Sequence, residues 1–173
     1  MKYQDIISFS FCGNGPEKLA KAEELKQIFG QDLLAERKIV SALEGLREAV
    51  SSLDMHMVAM DMGKNCSVCA ARPQGGCCSA YMGHENNDAL LLLMNMLAGV
   101  QVKVVRSDEF ECCFLAERGC LLIFKPIFCL NYLCESIRKD SSKWDLQLLE
   151  EKTALLLGAQ VELESMIITC LQQ

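Results

Sequence analysis

The sequence carries no surplus of basic charge. Its 17 Lys and Arg stand against 23 Asp and Glu, for a formal net charge of −6. A nucleic-acid partner needs a basic face, and an anionic membrane surface needs clustered Lys and Arg, so both are excluded as main partners. Long apolar runs are missing as well. The longest, Ala89 to Met94 continued by Met96, Leu97 and Ala98, is interrupted by Asn95. It falls far short of the ~20 residues that a membrane span requires. At the start, Met1-Lys2-Tyr3-Gln4-Asp5 sets an acid soon after its one Lys. The stretch Ile6-Ile7-Ser8-Phe9 is too brief for the apolar centre of a secretory signal. The expectation is a cytoplasmic chain. No Ser-His-Asp order, phosphate-cradling glycine loop or dinucleotide fingerprint occurs, and Gly75-Gly76 alone is too weak to count as one. Internal repeats and low-complexity linkers are absent too.

What is present is apolar side chain and thiol. The 173 residues suggest one domain, long enough to bury about 70% of its unfolded surface without disulfide staples. Hydrophobic residues make up 51%, which supplies that core. Eleven cysteines are far too many for chance in a cytosolic chain. Disulfides are rare in that compartment, so the thiols point to metal binding or redox chemistry. An odd number also fits a fully paired framework poorly.

Three zones organise the chain: N-terminal helices over residues 1–62, a cysteine-cluster region over 63–140, and a long C-terminal helix over 141–173. In the first, Pro16 follows Asn14-Gly15 at a good opening position for a helix, and Gly30 is placed to end or bend it. A second helix carries Leu33, Leu34, Ile39, Val40, Leu43, Leu46 and Val50 on one side. A third, Met-rich segment spans 53–62. In the middle zone, Asn86-Asn87-Asp88 offers caps for a buried helix over 89–98, stopped by Gly99. Val100, Val102, Val104 and Val105 suggest a strand, with others over 110–115 and 121–124 around a turn at Arg118-Gly119. Pro126 opens a helix reaching Arg138. The last zone reads as one amphipathic helix over 142–171, roughly 43 Å long. Ser141 or Ser142 caps it, and its stripe includes Trp144, Leu148, Leu149, Leu155, Leu156, Leu163 and Ile167. The expected fold is mainly α: a long-helix bundle with a small irregular cysteine-rich metal-binding insert and two or three short strands.

Nine of the eleven cysteines fall in the middle zone. Cys66-Ser-Val-Cys69 is the sharpest signal, because two intervening residues let a tight turn aim both sulfurs at one ion. Cys77-Cys78 follows after a small, turn-prone loop. A second group comprises Cys112-Cys113, Cys120, Cys129 and Cys134. Cys112 and Cys120 flank a hairpin around Glu117-Arg118-Gly119. On a regular helix Cys129 and Cys134 would stand roughly 140° apart. They can serve one ion only where that helix is irregular or starts after Cys129.

Cys66-x-x-Cys69, Cys77-Cys78, Cys112-Cys113-Phe-Leu, Gly119-Cys120, Lys125-Pro126-Ile-Phe-Cys129 and Cys134 together resemble the cysteine-cluster family described as a zinc- or iron-chelating domain. The likeness covers about residues 63–138. It implies eight metal ligands: Cys66, Cys69, Cys77, Cys78, Cys112, Cys120, Cys129 and Cys134. Cys113 stands where that family usually has Pro, and Lys125 where it usually has Arg. The resemblance implies a site and no particular reaction.

Three functional readings follow. The first is a metal-binding protein holding zinc or an iron–sulfur cluster through these thiolates. The second is an iron–sulfur or thiol-based oxidoreductase or redox switch using the same cysteines. The third is a helical interaction protein whose cysteines are incidental, with the long helices available to form a homodimer. Outside the cluster, Cys12 and Cys170 read as small core hydrophobes. His56, in Met55-His56-Met57, reads as core filling against a soft Cu(I) site. His84 reads as a surface-loop histidine, with a mixed-site ligand as its sharper alternative.

Overall fold

Asn14 starts a long helix in a computed structural model that describes residues 5, 9–63, 78–106, 110–117, 119–131 and 133–172. Its side chain accepts the Glu17 N–H, while the Glu17 carboxylate accepts the Asn14 N–H. This reciprocal pair satisfies two amide groups that a helix start otherwise leaves unbonded. Helix α1 then runs Gly15–Ala35, and Gly30 lies inside it rather than at its end. Glu36 alone is extended, and α2 follows at Arg37–Ala59. The second and third helical segments expected from the sequence are therefore one helix.

Ser79 caps a short helix, α3 (Ala80–Asn86), and Asp88 caps α4 (Ala89–Leu97). Every residue of α4 is buried, as befits a helix that is apolar all round. It packs on α1. The Arg47 guanidinium donates to the Ala98 carbonyl at its far end. Among the described residues the sheet is a two-strand antiparallel hairpin, β1 (Leu115–Ala116) and β2 (Gly119–Cys120), with Leu115 opposite Cys120. The strands expected over 100–105 and 121–124 do not form, and of 110–115 only Leu115 joins β1.

The backbone of 121–126 finds other partners. Asn95 lies wholly buried in α4, and its Oδ1 accepts the Ile123 and Phe124 N–H groups at 2.9 and 3.1 Å. Its Nδ2 donates to the Phe124 and Leu91 carbonyls, both at 2.9 Å. Gln160 does the same for Lys125, bonding its N–H and its carbonyl at 3.2 and 3.0 Å. Two side-chain amides thus replace the sheet ladder that this stretch would otherwise need.

The helix expected over 126–138 is broken. Short α5 (Ile127–Asn131) and α6 (Glu135–Asp140) divide it, with Cys134 at the start of α6. Ser142 then caps α7 (Lys143–Leu171) by accepting the Asp145 N–H. Helix α7 runs antiparallel to α2, the most extensive helix pairing among the described residues. His56 near the end of α2 meets the Asp145 carbonyl at 2.9 Å, and Lys152 donates to Ser52. The seam buries Ile39, Leu43, Leu46, Val50 and Leu53 against Leu149, Leu156, Leu163 and Ile167. Each such side chain contributes about 1.5–3 kcal/mol relative to exposure. Trp144 and Leu155, expected in that stripe, are 68% and 71% exposed, and Leu34 is exposed as well. By length and composition α7 could cross a membrane, but its inner face lies in this core. That core draws buried side chains from all three zones of the sequence.

Glu164 of α7 has its carboxyl raised above the ordinary value of 4.5, first by burial and then by the neighbouring Asp88. A raised carboxyl contributes stability that is full below its unfolded pKa and is lost as pH rises through its folded pKa. At pH 7 the charged group therefore works against the fold. Glu164→Gln is expected to raise the thermal midpoint at pH 7, by less than about 1 kcal/mol in stability. That advantage closes as pH falls below 4.5. Melting curves at four pH values check it; a gap that stays constant with pH contradicts the assignment.

Candidate metal centre

The hairpin region is tied to α3 by the backbone. Ser79 and Glu111 form an antiparallel bridge, the Cys112 N–H donates to the Cys78 carbonyl at 2.7 Å, and the Ala80 N–H donates to the Phe110 carbonyl at 3.0 Å. Cys78, the last cysteine of the first group, therefore lies alongside Cys112, the first of the second group. A tight turn follows, with the Leu115 N–H on the Cys112 carbonyl. Phe114, fully buried, anchors it, and the Arg106 side chain spans the Leu115 carbonyl and the Glu111 carboxylate. This is why the two adjacent cysteines hold a fixed orientation.

Two glycines admit their sulfurs. A Cβ on Gly15 would stand 2.6 Å from Cys113 Sγ and 3.3 Å from the His84 ring. A Cβ on Gly83 would stand 2.7 Å from Cys112 Sγ. Cys113 thus sits at the start of α1 beside His84, and Cys112 sits over α3. His84 belongs to helix α3 and is half-buried, which corrects its reading as a surface-loop residue. Lys18, itself buried, donates to the His84 carbonyl and fixes that end of α3.

The two thiols are not equivalent. Hydrogen bonding from Cys112 holds the Cys113 thiol below its usual range, while burial opposes that shift. The same bond, together with burial, pushes the Cys112 thiol up. The pair therefore loses its first proton from Cys113, the sulfur seated at a helix start, where the dipole also favours an anion. A thiolate at Cys120 works against one at Cys113.

Of the other expected ligands, Cys120 lies within electrostatic reach of Cys112 and Cys113. Cys120 and Cys129 are exposed, on β2 and α5, and Cys134 is half-buried at the start of α6. The helix break between Cys129 and Cys134 is the irregularity that a shared ion would require. Cys66, Cys69 and Cys77 lie outside the described residues, as does the expected approach of the Cys66 and Cys69 sulfurs. Among the described residues no three His, Cys, Asp or Glu side chains converge tightly enough to hold a metal ion. No disulfide joins two of the described cysteines. Cys12 is exposed rather than a core hydrophobe, Cys170 is half-buried, and His56 is buried in the core.

Sequence spacing left Cys113 out of the expected ligand set and did not connect it with His84. The signal that could have found them is glycine. Gly15 opens a helix and Gly83 sits in the middle of one, positions where a small residue marks a close approach. Comparison with family models, with curated proteins and with solved structures gives no match.

Proposed function

We propose that this chain is a metal-binding protein that holds zinc or an iron–sulfur cluster through clustered cysteine thiolates. The ligands are drawn from Cys66, Cys69, Cys77, Cys78, Cys112, Cys120, Cys129 and Cys134. The observation that supports this reading is the backbone bond from Cys112 to Cys78, which sets one cysteine of the first group beside one of the second. Membership of the zinc- or iron-chelating family belongs to the same proposal, on the spacing of these cysteines. Both metals accept four thiolates, and zinc is favoured because it tolerates varied local geometry. The protein works in the cytoplasm, where thiols stay reduced and available.

Elemental analysis and a visible spectrum of anaerobically prepared protein test it. Zinc gives a colourless protein and releases to a chelator; a cluster gives brown protein with iron and sulfide. Cys78→Ser and Cys112→Ser are each expected to lose most of the metal, while Cys12→Ser keeps it. Chelation is expected to loosen residues 63–138 while most helical circular dichroism remains. Anaerobic protein without metal sinks the reading.

The Cys112–Cys113 thiol pair favours a second reading, a thiol-based redox switch. Metal-free protein in which Cys113 reacts with a disulfide far faster than Cys170 would support it.

A further inference from the structure

Helices α5, α6 and α7 border a cleft of about 240 Å³ whose lining includes no described cysteine. Its apolar wall is Leu130, Leu133 and Leu149. Thr153 lines it too, is 2% exposed, and its hydroxyl has no hydrogen-bond partner among the described residues. A threonine within a helix ordinarily returns its hydroxyl to a carbonyl one turn back; Thr153 does not. Leaving a buried hydroxyl unbonded costs free energy that a ligand would recover.

Two opposite charges line the same cleft, Arg138 from α6 and Glu150 from α7. The Arg138 Nε donates to the Leu133 carbonyl at 3.1 Å, which fixes the guanidinium in place. Among the described residues Arg138 and Glu150 form no ion pair with each other. Asn131 adds an amide that can both donate and accept. A simple anion would meet Glu150, and a simple cation would meet Arg138. A zwitterion satisfies both. The cleft is smaller than the ~300–1,000 Å³ of drug-sized sites, so its ligand has few heavy atoms.

We propose that this cleft binds a free α-amino acid with a small side chain. The carboxylate lies on the Arg138 guanidinium, whose planar fork matches two oxygens. The ammonium lies on the Glu150 carboxylate, and a polar side-chain atom of the ligand reaches the Thr153 hydroxyl. No described cysteine lines the cleft, so its ligand is distinct from the metal.

Calorimetric titration of the full chain with L-serine and L-alanine tests the site, with propionate and ethylamine as ligands that each carry one of the two charges. Saturable binding of the amino acids is expected, with propionate and ethylamine much weaker. Arg138→Gln and Glu150→Gln should each weaken binding by roughly tenfold or more. Both side chains are exposed, so unchanged circular dichroism shows that the variants fold. Thr153→Val keeps the volume and should weaken L-serine more than L-alanine. Absence of saturable binding by either amino acid overturns the proposal. So does equal binding by propionate or ethylamine, or parent-like affinity in both charge variants.

Discussion

Asn95→Leu is expected to cost about 3–5 kcal/mol, a large share of the stability of an ordinary domain. The substitution keeps the size of the side chain and adds apolar character inside a helix that is buried all round, so hydrophobicity alone favours it. The loss comes from the partners left behind. The N–H groups of Ile123 and Phe124 and the Phe124 carbonyl lose their bonds to a side chain that sees no water. An abandoned buried donor or acceptor costs about 1–3 kcal/mol. For a chain of this length the thermal midpoint should fall by roughly 10–15 °C. Hydrogen exchange separates this cause from a general loosening: the Ile123 and Phe124 amides should lose protection before the α2–α7 seam does. A cost under about 1 kcal/mol would show that water replaces Asn95.

Leu156→Ala is expected to cost about 2–5 kcal/mol, and Leu155→Ala less than about 0.5 kcal/mol. The two leucines are neighbours in sequence and identical in chemistry. Leu156 is 1% exposed in the α2–α7 seam, and Leu155 is 71% exposed on the outer face. Removing Leu156 leaves a cavity in the α2–α7 seam that rigid helices close only in part. Urea unfolding of the two variants at fixed pH checks the contrast. Equal costs would mean that the outer face of α7 is covered in solution, as in the helix-mediated dimer considered from sequence.

The helix starts were legible in the sequence because capping chemistry is local. Asn14-Gly15-Pro16, Asp88 and Ser142 each marked a boundary that the structure has. The facing of α7 was less legible. Leucines at 148, 149, 155, 156 and 157 occupy two adjoining faces, and periodicity cannot choose between them. The choice falls to the shape of α2, which buries Leu149 and Leu156 and leaves Leu155 outside. The false strands have another cause. Alternating valines at 100, 102 and 104 resemble a pleated edge, yet the Val105 N–H goes to the Cys113 carbonyl and no ladder follows. Residues 123–125 had their partners supplied by Asn95 and Gln160, the first 28 or 29 and the second 35 positions away, which no local pattern announces. Of the candidate site, the cysteine groups and the helix break were accessible to spacing arguments. The unequal acidity of Cys112 and Cys113 was not, since it depends on contact geometry.

The pairing of α2 with α7 also sets a clock on biosynthesis. Ser52 and Lys152, bonded across the seam, lie 100 residues apart in the chain. At about 5–20 residues per second, a ribosome delivers the second partner roughly 5–20 s after the first. During that interval the nascent chain presents Ile39, Leu43, Leu46 and Val50 with nothing to cover them. Helix α4, made earlier, can already dock on α1, so one half of the core can assemble while the other waits. The emerging polypeptide is then most vulnerable to chaperone capture or aggregation along α2, and slower translation of the intervening stretch lengthens that exposure.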